Sequence, residues 1–152
     1  MFEWLFGGRK SKAEIRHVTA PQGRVAALLA RDAVDISDGE WGEREWVQLS
    51  VNHELDPKED LRSSTQAIVL AHRTNEPLEA LGFRLSAETK AALAELRSEM
   101  DTAGQGRWTI ADIVVDRDGT YAFSFQYDPP PRISGDLLHR PLQGYLERYN
   151  AR

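Results

Sequence analysis

The chain has 152 residues, of which 41% are hydrophobic, 9% aromatic and 28% charged, and its formal net charge is −5. This length and composition predict one packed domain and exclude the disordered class. It contains no cysteine, which excludes disulfides, thiolate nucleophiles and cysteine-based metal sites. No apolar run approaches the roughly 20 residues of a membrane helix, and residues 1–6 are too short for a signal peptide. We therefore expect a cytoplasmic protein without stable membrane insertion.

Acidic charge is concentrated in residues 32–62, which hold ten acidic and three basic residues. A block of this density repels a phosphate backbone and attracts positively charged surfaces. We therefore expect a basic protein as the partner, and no nucleic acid.

Two regions are distinguished along the chain. Residues 1–12, MFEWLFGGRKSK, form an apolar and then basic N-terminal tip broken by Gly7-Gly8, and residues 13–152 are predicted to form a single α+β domain. The tip is interpreted as a frayed terminus or a segment packed on the core. It could alternatively dock into a groove or touch a membrane surface.

The first predicted helix begins at Pro21, with Thr19 as its cap, because proline is favoured in the first turn. Its apolar face would hold Val25, Leu28 and Leu29. Two strands are predicted next, at residues 46–53 and 65–73. Alternation in the first strand separates two faces, one with Val47, Leu49, Val51 and His53 and the other with Trp46, Gln48, Ser50 and Asn52.

A second helix is predicted to begin at the cap residue Ser86 and to end before Gly104. Its apolar stripe comprises Ala92, Leu93, Leu96 and Met100. The dipeptide Asp118-Gly119 then predicts a type I′ hairpin, whose two central residues need positive φ. The strand after this turn carries aromatic side chains on one face, namely Tyr121, Phe123, Phe125 and Tyr127.

This aromatic face must be covered by other apolar groups. The predicted covers are the second helix and a C-terminal helix beginning near Pro141, in which Leu138, Leu142, Tyr145, Leu146 and Tyr149 recur at helical spacing. Pro129-Pro130-Pro131 is expected to be an extended spacer between strand and helix. The predicted fold is α+β, an antiparallel four-stranded sheet packed by helices on one face, in the order α-β-β-α-β-β-α.

Motifs for catalysis or cofactor binding are absent from the sequence. GGRKS lacks the glycine and the preceding strand of a phosphate-binding loop, DRDG at 116–119 lacks the later glutamate of a calcium loop, and no GxSxG is present. We therefore expect no enzyme activity, no cofactor and no metal. One alternative stays open, because His53 and His72 lie on adjacent predicted strands and could form a metal-dependent site, with Glu54 as a further ligand.

The candidate partner-binding site lies within residues 32–45, where acidic side chains surround a tryptophan. Its members are Asp35, Asp38, Glu40, Trp41, Glu43 and Glu45. An apolar anchor inside a negative field is typical of a binding hot spot for a basic partner. The alternative interpretation is a solvated loop whose tryptophans fold onto the core, with Trp41 predicted to be more exposed than Trp46.

From residue 45 onward the chain resembles the YezG-type immunity proteins, which accompany bacterial polymorphic toxins. The resemblance is carried by WVQLSV at 46–51, the helix ending near Met100, GRWT at 106–109 and DGTYAFSFQYD at 118–128. The departures are the triple proline, the lack of a tryptophan in the last helix, and the opening twelve residues.

The resemblance implies a non-enzymatic protein that binds a secreted toxin, often a nuclease, and keeps it inactive inside the producing cell. A nuclease must be basic to hold its substrate, so we expect the acidic segment, with Trp41 as anchor, to cover such a site. The alternative function is a small adaptor recruited through its apolar N-terminal tip.

Overall fold

The computed structural model describes residues 12–35 and 41–152, with the backbone alone for residues 12–19. The elements in chain order are helix α1 Lys12–Val34, strands β1 Glu45–Leu55, β2 Ser63–His72 and β3 Glu79–Gly82, helix α2 Ala87–Thr102, strands β4 Ile110–Asp116 and β5 Tyr121–Gln126, and helix α3 Tyr145–Asn150. The α+β class is confirmed. Of the predicted N-terminal tip, residues 1–11 lie outside the described residues.

The described strands form one antiparallel sheet in the order β3-β2-β1-β4-β5. The prediction of four strands was wrong, because β3 adds a fifth at the edge beside β2. Its four residues, EALG, are too few to show an alternating pattern, and none is β-branched or aromatic. Pairing with β2, not local propensity, makes this segment a strand.

One face of the sheet packs against α1 and α2 and contains the main hydrophobic core. The helices contribute Val25, Leu28 and Leu29 from α1 and Ala92, Leu93, Leu96 and Met100 from α2, all buried. Opposite them lie sheet residues that include Leu49, Val51, Val69, Ile113 and Phe123. Both predicted apolar stripes are therefore confirmed. Tyr121, Phe123 and Phe125 of the predicted aromatic face pack in or against this core, whereas Tyr127 lies after β5 and is 52% exposed.

Helix α1 begins nine residues earlier than predicted and contains Pro21 within it. An internal proline removes one backbone hydrogen bond and usually ends or bends a helix. The residues before it, KAEIRH, have good helix propensity and continue the helix in spite of the proline. The prediction of Thr19 as a cap was therefore wrong, since Thr19 lies within the helix.

Residues 129–152 cover the opposite face of the sheet, where polar side chains such as Gln48, Asn52 and Glu54 lie beside the apolar Leu70 and Ile110. The phenol of Tyr145 in α3 donates to Gln48 Oε1 at 2.7 Å, and the N–H of Leu142 donates to Gln66 Oε1 at 2.8 Å. The prediction that a C-terminal helix covers the aromatic face was wrong, because α3 packs on the other face through Tyr145. This helix also has only six residues, and Leu138, which was predicted to belong to it, is 81% exposed. A buried tyrosine needs a partner for its hydroxyl, and the amides of this face supply one.

The loop joining β4 and β5 differs from the predicted type I′ turn. The N–H of Gly119 donates to the Asp116 carbonyl at 2.9 Å, and the N–H of Asp116 donates to the Thr120 carbonyl at 2.8 Å. Gly119 has φ +94°. Arg117 and Asp118 do not have positive φ, since Asn75 is the only non-glycine residue with positive φ in the described ranges. The loop is thus a type I turn followed by a left-handed glycine. The Asp118 carboxylate, which accepts from the N–H of Thr120 at 2.9 Å, stabilises it.

A bulge interrupts β1 between Trp46 and Gln48. A bulge places two residues of one strand opposite one of its neighbour and so shifts the alternation of faces. Trp46 is paired with Ala71 and packs against the hydrophobic core. The prediction that Trp46 shares a face with Gln48 was therefore wrong.

Candidate partner-binding surface

The acidic segment connects the end of α1 to the start of β1. Asp35, Glu43 and Glu45 are exposed, whereas Asp38 and Glu40 lie outside the described residues. Within residues 12–35 and 41–152, the carboxylates of Asp35, Glu43 and Glu45 form no ion pair. We call them the acidic rim. Their charge is therefore available to a partner.

Arg44 ties this segment to the edge of the sheet, and its side chain is only 9% exposed. Its guanidinium donates to both carboxylate oxygens of Glu79, at 3.1 and 3.3 Å, and to the carbonyl of Trp41 at 3.0 Å. The hydrogen bond from Arg44 lowers the pKa of Glu79. Such two-pronged pairing adds geometric specificity as well as energy. Arg44 therefore fixes the loop while its neighbours Glu43 and Glu45 stay exposed.

Both tryptophans of the segment are half-buried and pack against the hydrophobic core. Trp41 is therefore not fully exposed, and Trp46 is not fully buried. The guanidinium carbon of Arg117 lies 5.8 Å from the ring centroid of Trp46, and its Nη1 donates to the Trp46 carbonyl at 3.1 Å. Trp41 holds its loop against the core and leaves part of its surface accessible to a partner.

Four other acids of residues 32–62 are paired with arginines of the chain. The pairs are Asp32 with Arg31, Glu54 with Arg132, Asp56 with Arg62, and Asp60 with both Arg97 and Arg107. The pKa of Asp60 is lowered first by its hydrogen bond from Arg97. The N–H of Lys58 is the largest cause of the lowered pKa of Asp56. The acidic block thus overstates the charge that a partner would meet.

Replacing Asp32 with alanine is expected to lower the free energy of unfolding by about 2–3 kcal/mol. The Asp32 carboxylate is 6% exposed and accepts from the Thr89 hydroxyl at 2.6 Å and the Ser86 N–H at 2.9 Å. Its loss leaves the Ser86 N–H unpaired at the start of α2, while the Thr89 hydroxyl keeps only its contact with Ser86 Oγ at 2.9 Å. The control Asp35→Ala removes an exposed acid and should change the value by less than about 0.5 kcal/mol. Urea denaturation measures both variants, and equal losses of unfolding free energy would contradict a stabilising role for the buried Asp32 carboxylate.

His53 and His72 do not meet. The register pairs His53 with Thr65 and His72 with Glu45, which places the histidines at opposite ends and on opposite faces of the strand pair. The Nδ1 of His72 lies 2.9 Å from the Arg73 carbonyl oxygen. The metal site considered from the sequence was therefore wrong. In the described part of the chain, no group of three or more histidine, aspartate or glutamate side chains is placed to hold a metal ion.

No protein-family model matches this sequence, and a search of curated proteins finds no match. The resemblance to YezG-type immunity proteins therefore remains a prediction. Among the helices described, none has the length and apolar character needed to span a bilayer.

Proposed function

We propose that this protein is an immunity protein of the YezG type, which binds a cognate bacterial toxin with a basic, nuclease-like active site and keeps it inactive. It would act in the cytoplasm of the producing cell, and without catalysis of its own. The observation that supports this proposal is the acidic rim, Asp35, Glu43 and Glu45, beside the half-buried Trp41.

The acidic rim and Trp41 contribute to binding in different ways. Exposed carboxylates act over about 8 Å at physiological salt, so the rim steers a basic partner and speeds its association. The accessible part of Trp41 supplies apolar contact, which is where most binding energy arises in protein interfaces. Because Arg44 already holds the backbone at Trp41, less conformational entropy of residues 41–44 is lost on binding.

Charge reversal of the rim tests the proposal. The triple variant Asp35→Lys, Glu43→Lys, Glu45→Lys is expected to weaken binding at least tenfold, since each change replaces attraction by repulsion. The probe is the basic C-terminal domain of a secreted protein encoded by the neighbouring reading frame, and the measurement is isothermal titration calorimetry.

The matched control reverses three exposed acids of α2, with the same change in net charge: Glu95→Lys, Glu99→Lys and Asp101→Lys. This variant should bind within about threefold of the natural protein. Equal weakening in both variants would assign the effect to net charge and reject the rim as the binding surface. Absence of binding by the natural protein would reject the proposed function itself.

A further inference from the structure

A second surface feature is a groove between the start of β2 and the first turns of α2. Its volume is about 370 Å³, and it is lined by Ser63, Thr65, Phe83, Arg84, Leu85 and Lys90. This volume falls within the range of small-molecule sites. The lining holds two cations, two hydroxyls, one aromatic ring and one leucine, and no carboxylate. None of these residues belongs to the acidic rim.

The two cationic side chains of the groove have no partner in the described structure, unlike most of the described arginines. Arg84 and Lys90 are exposed, and neither side chain forms a hydrogen bond or an ion pair in the ranges 12–35 and 41–152. The acid closest in sequence to Lys90, Glu88, is paired with Arg31 at 2.8 Å and with Arg24 at 3.6 Å. The positive charge of the groove is therefore not neutralised within the described chain.

A buried histidine lies behind one hydroxyl of the groove. His53 is fully buried, its Nδ1 lies 2.8 Å from Thr65 Oγ1, and its Nε2 has no hydrogen-bond partner in the described structure. When Nδ1 carries the ring hydrogen and donates it to Thr65, the hydroxyl keeps its own hydrogen for another acceptor. Because Thr65 lines the groove, a ligand bound there can accept this hydrogen bond.

We propose that this groove binds a phosphate group, held by Arg84 and Lys90 and by hydrogen bonds from the hydroxyls of Ser63 and Thr65. Two cations match the charge of nearly −2 that a phosphate monoester carries near neutral pH, whereas a carboxylate carries only one negative charge. The groove is larger than a phosphate group, and Phe83 and Leu85 offer an apolar wall to an organic remainder. The groove shares no residue with the acidic rim, so phosphate binding here does not rest on the proposed toxin contact.

Titration of the full chain, followed by amide NMR shifts, tests this site with inorganic phosphate, glycerol 3-phosphate and glycerol. We expect saturable shifts at Thr65 and Lys90 with both phosphates and none with glycerol. Tighter binding of glycerol 3-phosphate would assign the site to an organic phosphate, and equal affinities would assign it to the free ion. Shifts that do not saturate with either phosphate would overturn the proposal.

Paired variants test which residues bind the phosphate. Arg84→Met with Lys90→Met changes two exposed side chains and should weaken phosphate binding at least tenfold. Lys58→Met with Arg140→Met removes the same charge from exposed positions outside the groove and should leave the affinity within twofold. Equal weakening in the two double variants would reject the groove. The affinity of the toxin, measured separately, should not change with Arg84→Met and Lys90→Met.

Discussion

Replacing Arg132 with methionine is expected to lower the free energy of unfolding by about 3–5 kcal/mol. Arg132 Nη1 lies 3.5 Å from Glu54 Oε2, and the two side chains are 9% and 0% exposed. The same guanidinium donates to Asn52 Oδ1 at 2.8 Å and to Ser64 Oγ at 2.8 Å. The substitution therefore leaves a buried carboxylate without its counter-ion and removes the side-chain hydrogen bonds of Arg132 to β1 and β2.

Two further variants show whether the buried charge causes this loss. Adding Glu54→Gln to Arg132→Met removes the uncompensated charge, so the double variant should be more stable than Arg132→Met alone. Arg140→Met, an exposed position in the same segment, should cost less than about 0.5 kcal/mol. The measurement is urea denaturation with linear extrapolation. A cost for Arg132→Met no larger than for Arg140→Met would show that the ion pair is not stabilising.

Stability is expected to fall as the pH drops below about 6.5, in part because of His53. Burial, followed by the charges of Lys90, Arg132 and Arg97, lowers the pKa of His53 from 6.5 to about 3. Between these values the unfolded chain binds a proton that the folded chain does not, so acid favours unfolding. The contribution is full above pH 6.5 and is lost at up to about 1.4 kcal/mol per pH unit as the pH falls toward 3.

The variant His53→Asn isolates this contribution, because it removes the titrating ring and keeps a polar group near Thr65. Its free energy of unfolding should depend less steeply on pH than that of the natural protein between pH 6.5 and 4.5. His72→Asn is the control, since His72 is only half-buried, and it should keep the natural slope. Identical slopes for His53→Asn and the natural protein would contradict a buried neutral His53.

The sequence predicted those elements whose pattern is repeated over many residues. The stripe of α2 and the alternating aromatic residues of β5 each repeat a period that only one kind of element satisfies. Strand β3 is too short to show a period, and the bulge at Trp46 depends on how two strands pair. The turn at Gly119 depended on a local hydrogen bond of the Asp118 side chain, which composition does not reveal.

For the candidate site, the sequence identified the acidic segment but not the roles of its members. Asp32 and Glu54 count as negative charges in any sum, yet each is buried against donors from distant parts of the chain. Arg44 is the one signal of this arrangement in the sequence, because a lone basic residue within an acidic run favours an internal ion pair. The partners of Arg44 and Glu54 lie 35 and 79 residues away in the sequence, a separation over which periodicity gives no information.

The two faces of the sheet are covered by segments that make chemically different contacts. Lifting a helix would present mainly hydrocarbon to water, whereas lifting the C-terminal segment would present the amide of Gln48 and the Glu54 carboxylate together with the apolar Leu70 and Leu142. Transient partial unfolding at the C-terminus therefore exposes a mixed surface, which is less apolar than the surface exposed by loss of a helix and so favours aggregation less. Loss of a helix is therefore expected to promote aggregation more strongly than loss of the C-terminal segment.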